Sequence, residues 1–238
     1  LRMSDMTNKG GWAAVGTVDA KIADFAAVSA SVNKQTMGFG SIEQGPQERS
    51  REDIFQYNVT TAVNAHQVLP KKWNLNIPFS YSVSEEKITP EYDPNDPDVR
   101  LETKMDEAQS QEERKQIKDR AIEYTKRTSV NFIGVNKQRG QNQKQRFYDV
   151  ENLTLSHSFN QVEQHNFEVE QMLDQQARSS VDYAFAPKPW TLEPFKKAEN
   201  LKKNRYLKLF SDFNVNLLPT SITFKSDVLR QYNQQKYR

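Results

Sequence analysis

The side chains that could do chemistry are few, and their spacing suits little of it. There are three histidines, His66, His157 and His165, and none lies in an H-E-x-x-H pattern. His157 and His165 are eight residues apart across an expected turn, and no carboxylate spacing completes a metal site, so a solvated pair is the better reading. Gly38-Phe39-Gly40 begins like a dinucleotide fingerprint, but position 43 is Glu43 and no βαβ pattern surrounds it. No P-loop and no G-x-S-x-G occurs. Asp93–Asp98 has the composition of a calcium loop without the required glycine and distal glutamate in register, and it reads as a proline-rich turn. Ser50-Arg51-Glu52-Asp53, next to Glu48 and Arg49, is a charge knot suited to a solvated loop or a partner-facing ion-pair cluster. With no cysteine, disulfides, thiolate catalysis and Cys-ligated metals are excluded. Carboxylates are too numerous to single out an acid–base pair. The expectation is a protein that is not an enzyme, with no catalytic residue, no cofactor and no metal.

What remains is a set of elements with nothing catalytic to position. The 238 residues suit one or two domains. Lys+Arg number 33 and Asp+Glu 31, a net charge of +2, which gives no field for nucleic acid. Mean hydropathy is −0.87, and no apolar run approaches the roughly 20 residues of a spanning helix. Barrel strands, however, hide their apolar residues in alternation. The chain opens at Leu1 without an initiator Met or signal peptide and closes at Arg238 after a strand-like stretch, so a segment of a longer protein is expected. Asn and Gln total 38, a quantity of amide that needs a wet surface.

Strict alternation dominates. Leu75, Ile77, Phe79, Tyr81 and Val83 alternate with Asn74, Asn76, Pro78, Ser80 and Ser82. Phe55, Tyr57, Val59, Val63 and Ala65 alternate with Gln56, Asn58, Thr60, Asn64 and His66, with Thr61 the soft spot. Leu153, Leu155 and Phe159 face Asn152, Thr154, Ser156 and Ser158, and Val181, Tyr183 and Phe185 repeat the pattern. Phe213, Val215 and Leu217 precede Leu218-Pro219-Thr220-Ser221 and then Ile222, Phe224, Val228 and Tyr232, a predicted hairpin. Trp12–Lys21 and Ala26–Val32 are two further strand candidates. His66–Trp73 and Pro187–Arg205 read as polar connectors.

One segment differs. Residues 102–127 hold 14 charges in 26 positions with no Pro or Gly, which predicts a solvated helix. Glu112–Lys115 and Glu123–Arg127 are spaced for surface ion pairs on it. The chain is thus one segment, 1–238, with a helical insertion at 100–127.

Alternation alone fits a soluble antiparallel sheet as well as a membrane barrel. Three features favour the barrel. Its polar positions are mostly uncharged, its strands reach spanning length, and aromatics (Trp12, Trp73, Tyr81, Phe147, Tyr148, Trp190, Tyr206) fall near strand ends. The fold class expected is all-β, mainly antiparallel: a segment of a very large transmembrane β-barrel with one inserted charged helix. Its lipid-facing band would be Phe55, Tyr57, Val59, Leu75, Ile77, Phe79, Tyr81, Leu153, Leu155, Phe159, Phe213, Val215 and Leu217. Its lumen face would be Gln56, Asn58, Asn64, Asn74, Asn76, Ser80, Asn152, Thr154 and Ser156. Trp12, Trp73 and Trp190 would form the girdles.

Five stretches resemble the SprA/Sov family, the giant outer-membrane proteins of Bacteroidetes gliding motility and type IX secretion. They are Asn8–Ser31 (NKGGWAAVGTVDAKIADFAAVSAS), Gly38–Val59 (GFGSIEQGPQERSREDIFQYNV), Tyr92–Val99 (YDPNDPDV), Phe147–Phe159 (FYDVENLTLSHSF) and Asp212–Arg238 (DFNVNLLPTSITFKSDVLRQYNQQKYR). They run in family order. The resemblance implies a translocon barrel in the bacterial outer membrane that exports folded cargo proteins bearing type IX C-terminal signals. It further implies a PorV-like outer-membrane barrel and a periplasmic plug protein as partners, with outer-membrane lipid around the wall and no nucleic acid. It carries no catalytic residue over to this chain.

Two other readings make different predictions. A soluble or surface-exposed β-sandwich binding module would fold alone as a cooperative monomer. Another export barrel, such as an LptD-like lipid translocon, would carry lipid and a disulfide-bearing periplasmic domain. A secreted β-rich enzyme lacks any candidate site.

Overall fold

A computed structural model describes residues 10–41, 43–45, 48–140, 143–192 and 215–238. The elements, in chain order, are β1 (Ala13–Ile22), β2 (Ala26–Gln35), β3 (Glu52–Asn64), β4 (Leu75–Asn76), β5 (Pro78–Pro90), β6 (Tyr92–Asp93) and β7 (Asp96–Arg100). Helices α1 (Leu101–Asp106) and α2 (Gln111–Ala121) follow, then β8 (Glu123–Lys137), β9 (Leu153–His165), β10 (Val169–Phe185), β11 (Thr191–Leu192), β12 (Val215–Asn216) and β13 (Ile222–Tyr237).

Eight long strands form one antiparallel sheet in the order β1-β2-β3-β5-β8-β9-β10-β13, with β4 added beside β8. Every long strand pairs with its neighbours in the chain, which makes an up-and-down meander. Its connections alternate between two rims. Among the described residues the helix rim carries 36–41, 43–45, 48–51, 91–122 and 166–168; the loop rim carries 23–25, 65–77, 138–140, 143–152, 186–192 and 215–221.

Local chemistry sets the turns. Asn166 closes the β9–β10 turn, its Oδ1 accepting from the Glu168 and Val169 N–H groups at 3.0 and 2.8 Å. In β8 the register shifts between Phe132 and Val135, where Gly134 adopts φ +78° and donates its N–H to Ser156 Oγ at 3.0 Å. That is a bulge, and glycine supplies the positive φ without steric cost.

Ser110 caps α2 by accepting from the Glu113 N–H at 3.1 Å, and Glu112 and Glu113 lie in its first turn with Lys118 and Arg120 in its last. The single helix expected over 102–127 is therefore two helices, broken at Glu107–Ser110. The second ends where Ile122 turns extended. Glu123–Arg127 belongs to β8, not to a helix. Tyr124, Thr125, Thr128 and Val130 are strand formers, and β5 supplies a pairing edge that the local charge pattern could not reveal. Ion pairs made here include Arg114–Asp106 at 3.2 Å, Lys104–Asp93 and Lys126–Glu85 at 3.6 Å, rather than those expected from helical spacing.

The predicted hairpin around Leu218–Ser221 also differs. β13 pairs with β10 over sixteen residue positions, and β12 pairs with β11 in a separate ribbon. Val215 and Leu217 thus stand apart from the main sheet, and Phe213 and Tyr206 lie outside the described residues.

Among the described residues the buried apolar side chains are Ala26, Leu101, Ala121 and Ile122, three of them at the helix pair. Among the described residues no large side chain is fully enclosed. A sandwich would need a second sheet packed about 10 Å away; here one layer carries both surfaces. No described helix is long and apolar enough to cross a membrane.

Candidate functional site

Directly opposed residues of neighbouring strands share a face, so the register assigns the side chains of the paired strands. One row crosses all eight strands: Asp19, Ser29, Thr60, Ser82, Ser129, Asn160, Gln176, Gln231. Seven of its eight members are neutral and polar. Ser29 Oγ donates to the Asp19 carboxylate, and Ser129 Oγ donates to Asn160 Oδ1 at 2.7 Å. Charges on this face meet across strands: Arg178 Nε bonds both Asp227 oxygens at 2.9 and 3.1 Å, and Lys225 approaches Asp182 at 3.9 Å. The face is wet, hydroxyl- and amide-rich, and locally neutralised.

The opposite face carries Ala26, Val28, Ala30 and Val32 on β2; Phe55, Tyr57, Val59 and Val63 on β3; and Phe79, Tyr81 and Val83 on β5. It continues with Val130, Phe132 and Val135 on β8, Leu153, Leu155 and Phe159 on β9, Val181 and Tyr183 on β10, and Phe224 and Val228 on β13. Phe79 and Phe132 pack at 4.9 Å between ring centroids. His157 sits in this face, with Nδ1 2.8 Å from Ser179 Oγ.

The apolar zone stops along a slanted line toward the helix rim. On β2 it ends at Lys34, in the row of Lys87; on β5 at Glu85; on β9 at Gln161, in the row of Val83; on β13 at Arg230, in the row of Tyr81. From β2 to β13 the boundary therefore slides six residues along the strands, about 20 Å at about 3.3 Å per residue. Six strand spacings of about 4.8 Å separate those strands, so a flat boundary plane meets the strands at about 35° from its normal. Spanning barrel strands tilt by about 35–45°.

The sequence-predicted residues distribute as follows. Phe55, Tyr57, Val59, Phe79, Tyr81, Leu153, Leu155 and Phe159 share the apolar face, and Leu75, opposite Lys137, joins them by register. Ile77 lies in the break between β4 and β5. Gln56, Asn58, Asn64, Asn76, Ser80, Thr154 and Ser156 share the polar face. Asn74 and Asn152 do not. Asn74 holds φ +48° in the loop before β4, and Asn152 is the buried hub of the 138–152 loop. Its Oδ1 accepts from Arg139 at 2.9 Å, and its Nδ2 donates to Arg146 O at 2.7 Å. In the same loop the Lys137 ammonium, 2.8 Å away, holds the Glu151 carboxyl below its ordinary range.

Trp12 lies at the helix rim, Trp73 and Trp190 at the loop rim, and all three are exposed. Phe147 reaches from the loop rim to Tyr183 and Phe185 on the apolar face, both at 6.4 Å. Tyr81 is mid-strand, not at an end. His157 and His165 are not separated by a turn; both lie on β9, about 26 Å apart along it. Asp93 closes its turn by accepting from the Asn95 N–H at 3.1 Å and by binding Lys104. Among the described residues no three His, Asp or Glu side chains gather as metal ligands would. Arg178–Asp227 was not foreseen; only the β10–β13 register brings these residues together across 49 positions.

Residues 1–105 match a family model, that of the SprA N-terminal region, described as a motility-related/secretion protein. The match runs from before β1 into α1. No curated protein matches the chain. Over residues 1–105 the chain is thus similar to the SprA N-terminal region, a family of motility-related/secretion proteins, which is consistent with a fragment of a SprA/Sov protein.

Proposed function

We propose that this chain is a section of the wall of an outer-membrane protein-conducting channel. The observation that carries the reading is the slanted apolar band on a sheet that, among the described residues, has no second layer packed on it. A soluble sheet must cover its apolar face with another layer. Here lipid is the cover, and the edges of β1 and β13 continue into further strands of a larger barrel, since open edges are not viable in a bilayer. The polar face lines the lumen. A wall of neutral hydroxyls, amides and paired charges offers a passing folded protein neither an apolar patch nor a strong field.

In this reading the assembly exports folded cargo with type IX C-terminal signals and supports gliding motility in Bacteroidetes. A PorV-like barrel and a periplasmic plug are its partners. The wall acts by shape, without catalysis, cofactor or nucleic acid.

The test is secretion of a type IX cargo from cells whose full-length protein carries Ser82→Leu, Ser129→Leu and Asn160→Leu, three adjacent members of one row. Secretion falls several-fold at unchanged barrel abundance, with cargo held in the periplasm. Normal secretion would overturn the reading.

A further inference from the structure

We propose that the cleft between the helix pair and the sheet seats the phosphate of a membrane lipid whose chains lie on the apolar band. The proposal rests on the barrel reading above and names one lipid site on it. The cleft measures ≈ 390 Å³, within the range of about 300–1,000 Å³ for small-ligand sites. Its sheet side includes two cross-strand rows of the outward face, Lys34–Phe55–Lys87 and Asp53–Thr89. Leu101 and Met105 of α1 and Lys118 of α2 form the other side.

Position is the first argument. Lys34 is the residue at which the band ends on β2, and Lys87 lies one face-position past Glu85, where it ends on β5. Headgroups lie at that level, and Phe55 beside the two lysines is the kind of residue found in an interfacial girdle. Charge is the second. Lys34 and Lys87 are half-buried, and neither they nor Lys118 has an ion-pair partner among the described residues. Of the lining carboxylates, Asp53 accepts from the Met37 N–H at 2.8 Å and keeps its charge, and Glu91 faces Arg100 at 3.8 Å, so four cations against three acids leave the cleft net positive. Glu102, in the first turn of α1, is the remaining acid. Three ammonium groups around an apolar floor match a phosphodiester joined to acyl chains.

The experiment uses the full-length protein in neutral detergent micelles containing phosphatidylglycerol, with inorganic phosphate as the competing probe. In the variant Lys34→Gln/Lys87→Gln/Lys118→Gln, lipid affinity falls about fivefold per lysine and about a hundredfold together. Lys34→Arg/Lys87→Arg/Lys118→Arg keeps the charge and retains binding, which separates recognition from a folding defect. Equal affinity in the glutamine variant overturns the proposal, as does displacement of the lipid by equimolar inorganic phosphate, which would mark a free-anion site. A fluorophore on Phe79→Cys, read by quenching from brominated lipid, reports the band independently. Quenching with lysine-independent binding sinks the cleft alone, and absent quenching sinks the band and the cleft together.

Discussion

Phe79 and Ser80 are neighbours in the chain and belong to opposite worlds. Phe79 packs against Phe132 across the strand boundary, in a face whose aromatic and aliphatic side chains have no second sheet over them among the described residues. Ser80 sits in a row with Asn131, Ser158 and Arg178, on the face where Arg178 bonds Asp227 and Ser129 bonds Asn160. Both faces are uncovered, but they call for different solvents. A sheet of ordinary composition hides one face and wets the other. On the proposed reading this one divides its faces between lipid and water, and the slant of the dividing line is the angle at which the strands meet them.

Charge insertion tests that difference most severely. Phe79→Arg places a guanidinium in the band and lowers the unfolding free energy of the full-length protein in lipid vesicles by about 2–4 kcal/mol. Ser80→Arg, one residue on, changes it by about 0.5 kcal/mol or less. Equal effects, measured by urea titration, would erase the distinction between the faces.

A smaller effect is expected where the two faces are brought back into phase. Gly134→Ala meets nothing within 4 Å, so its cost is the positive φ alone, about 1–2 kcal/mol in the same titration. If stability is unchanged, the bulge is not needed to keep Val135 on the apolar side.

The smallest effect lies off the sheet. The folded-state pKa of Glu151 is depressed by Lys137, so the pair stabilises the loop above the unfolded value of about 4.5, and that contribution is lost as pH falls through the folded value. Glu151→Gln flattens this part of the acid limb of the stability curve. A variant with the wild-type acid limb would show that the loop rim carries no such linkage.

The parts of the fold legible in the sequence are those that lie inside the band. β3, β5 and β9 alternate cleanly there because each outward residue meets the same apolar surroundings. β8 escaped notice because in its first residues, Glu123–Arg127, Lys126 on the outward face alternates with Glu123 and Arg127 on the polar face, so both faces carry charge and the pattern reads as helix. β10 was recognised only over Val181–Phe185, since Gln175, Ala177 and Ser179 dilute its alternation where the boundary crosses it. The Leu218–Ser221 turn looked like a hairpin because local signals name a turn but not the partner of the strand that leaves it. Asn152 had the right spacing for the polar wall and was taken instead by a loop that needed its amide to satisfy backbone carbonyls.

Because chain order equals spatial order in the main sheet, the molecule can be laid down like courses of brick, each strand finding its template in the one just placed. Closing a connection costs only about 0.6 kcal/mol more for each doubling of its length. The 186–221 link, some twelve times the length of the 166–168 turn, therefore adds only about 2 kcal/mol to the search. No strand waits for a distant partner, and at every stage one edge stands open for the next arrival. Growth is then directional, from β1 at one edge of the sheet to β13 at the other.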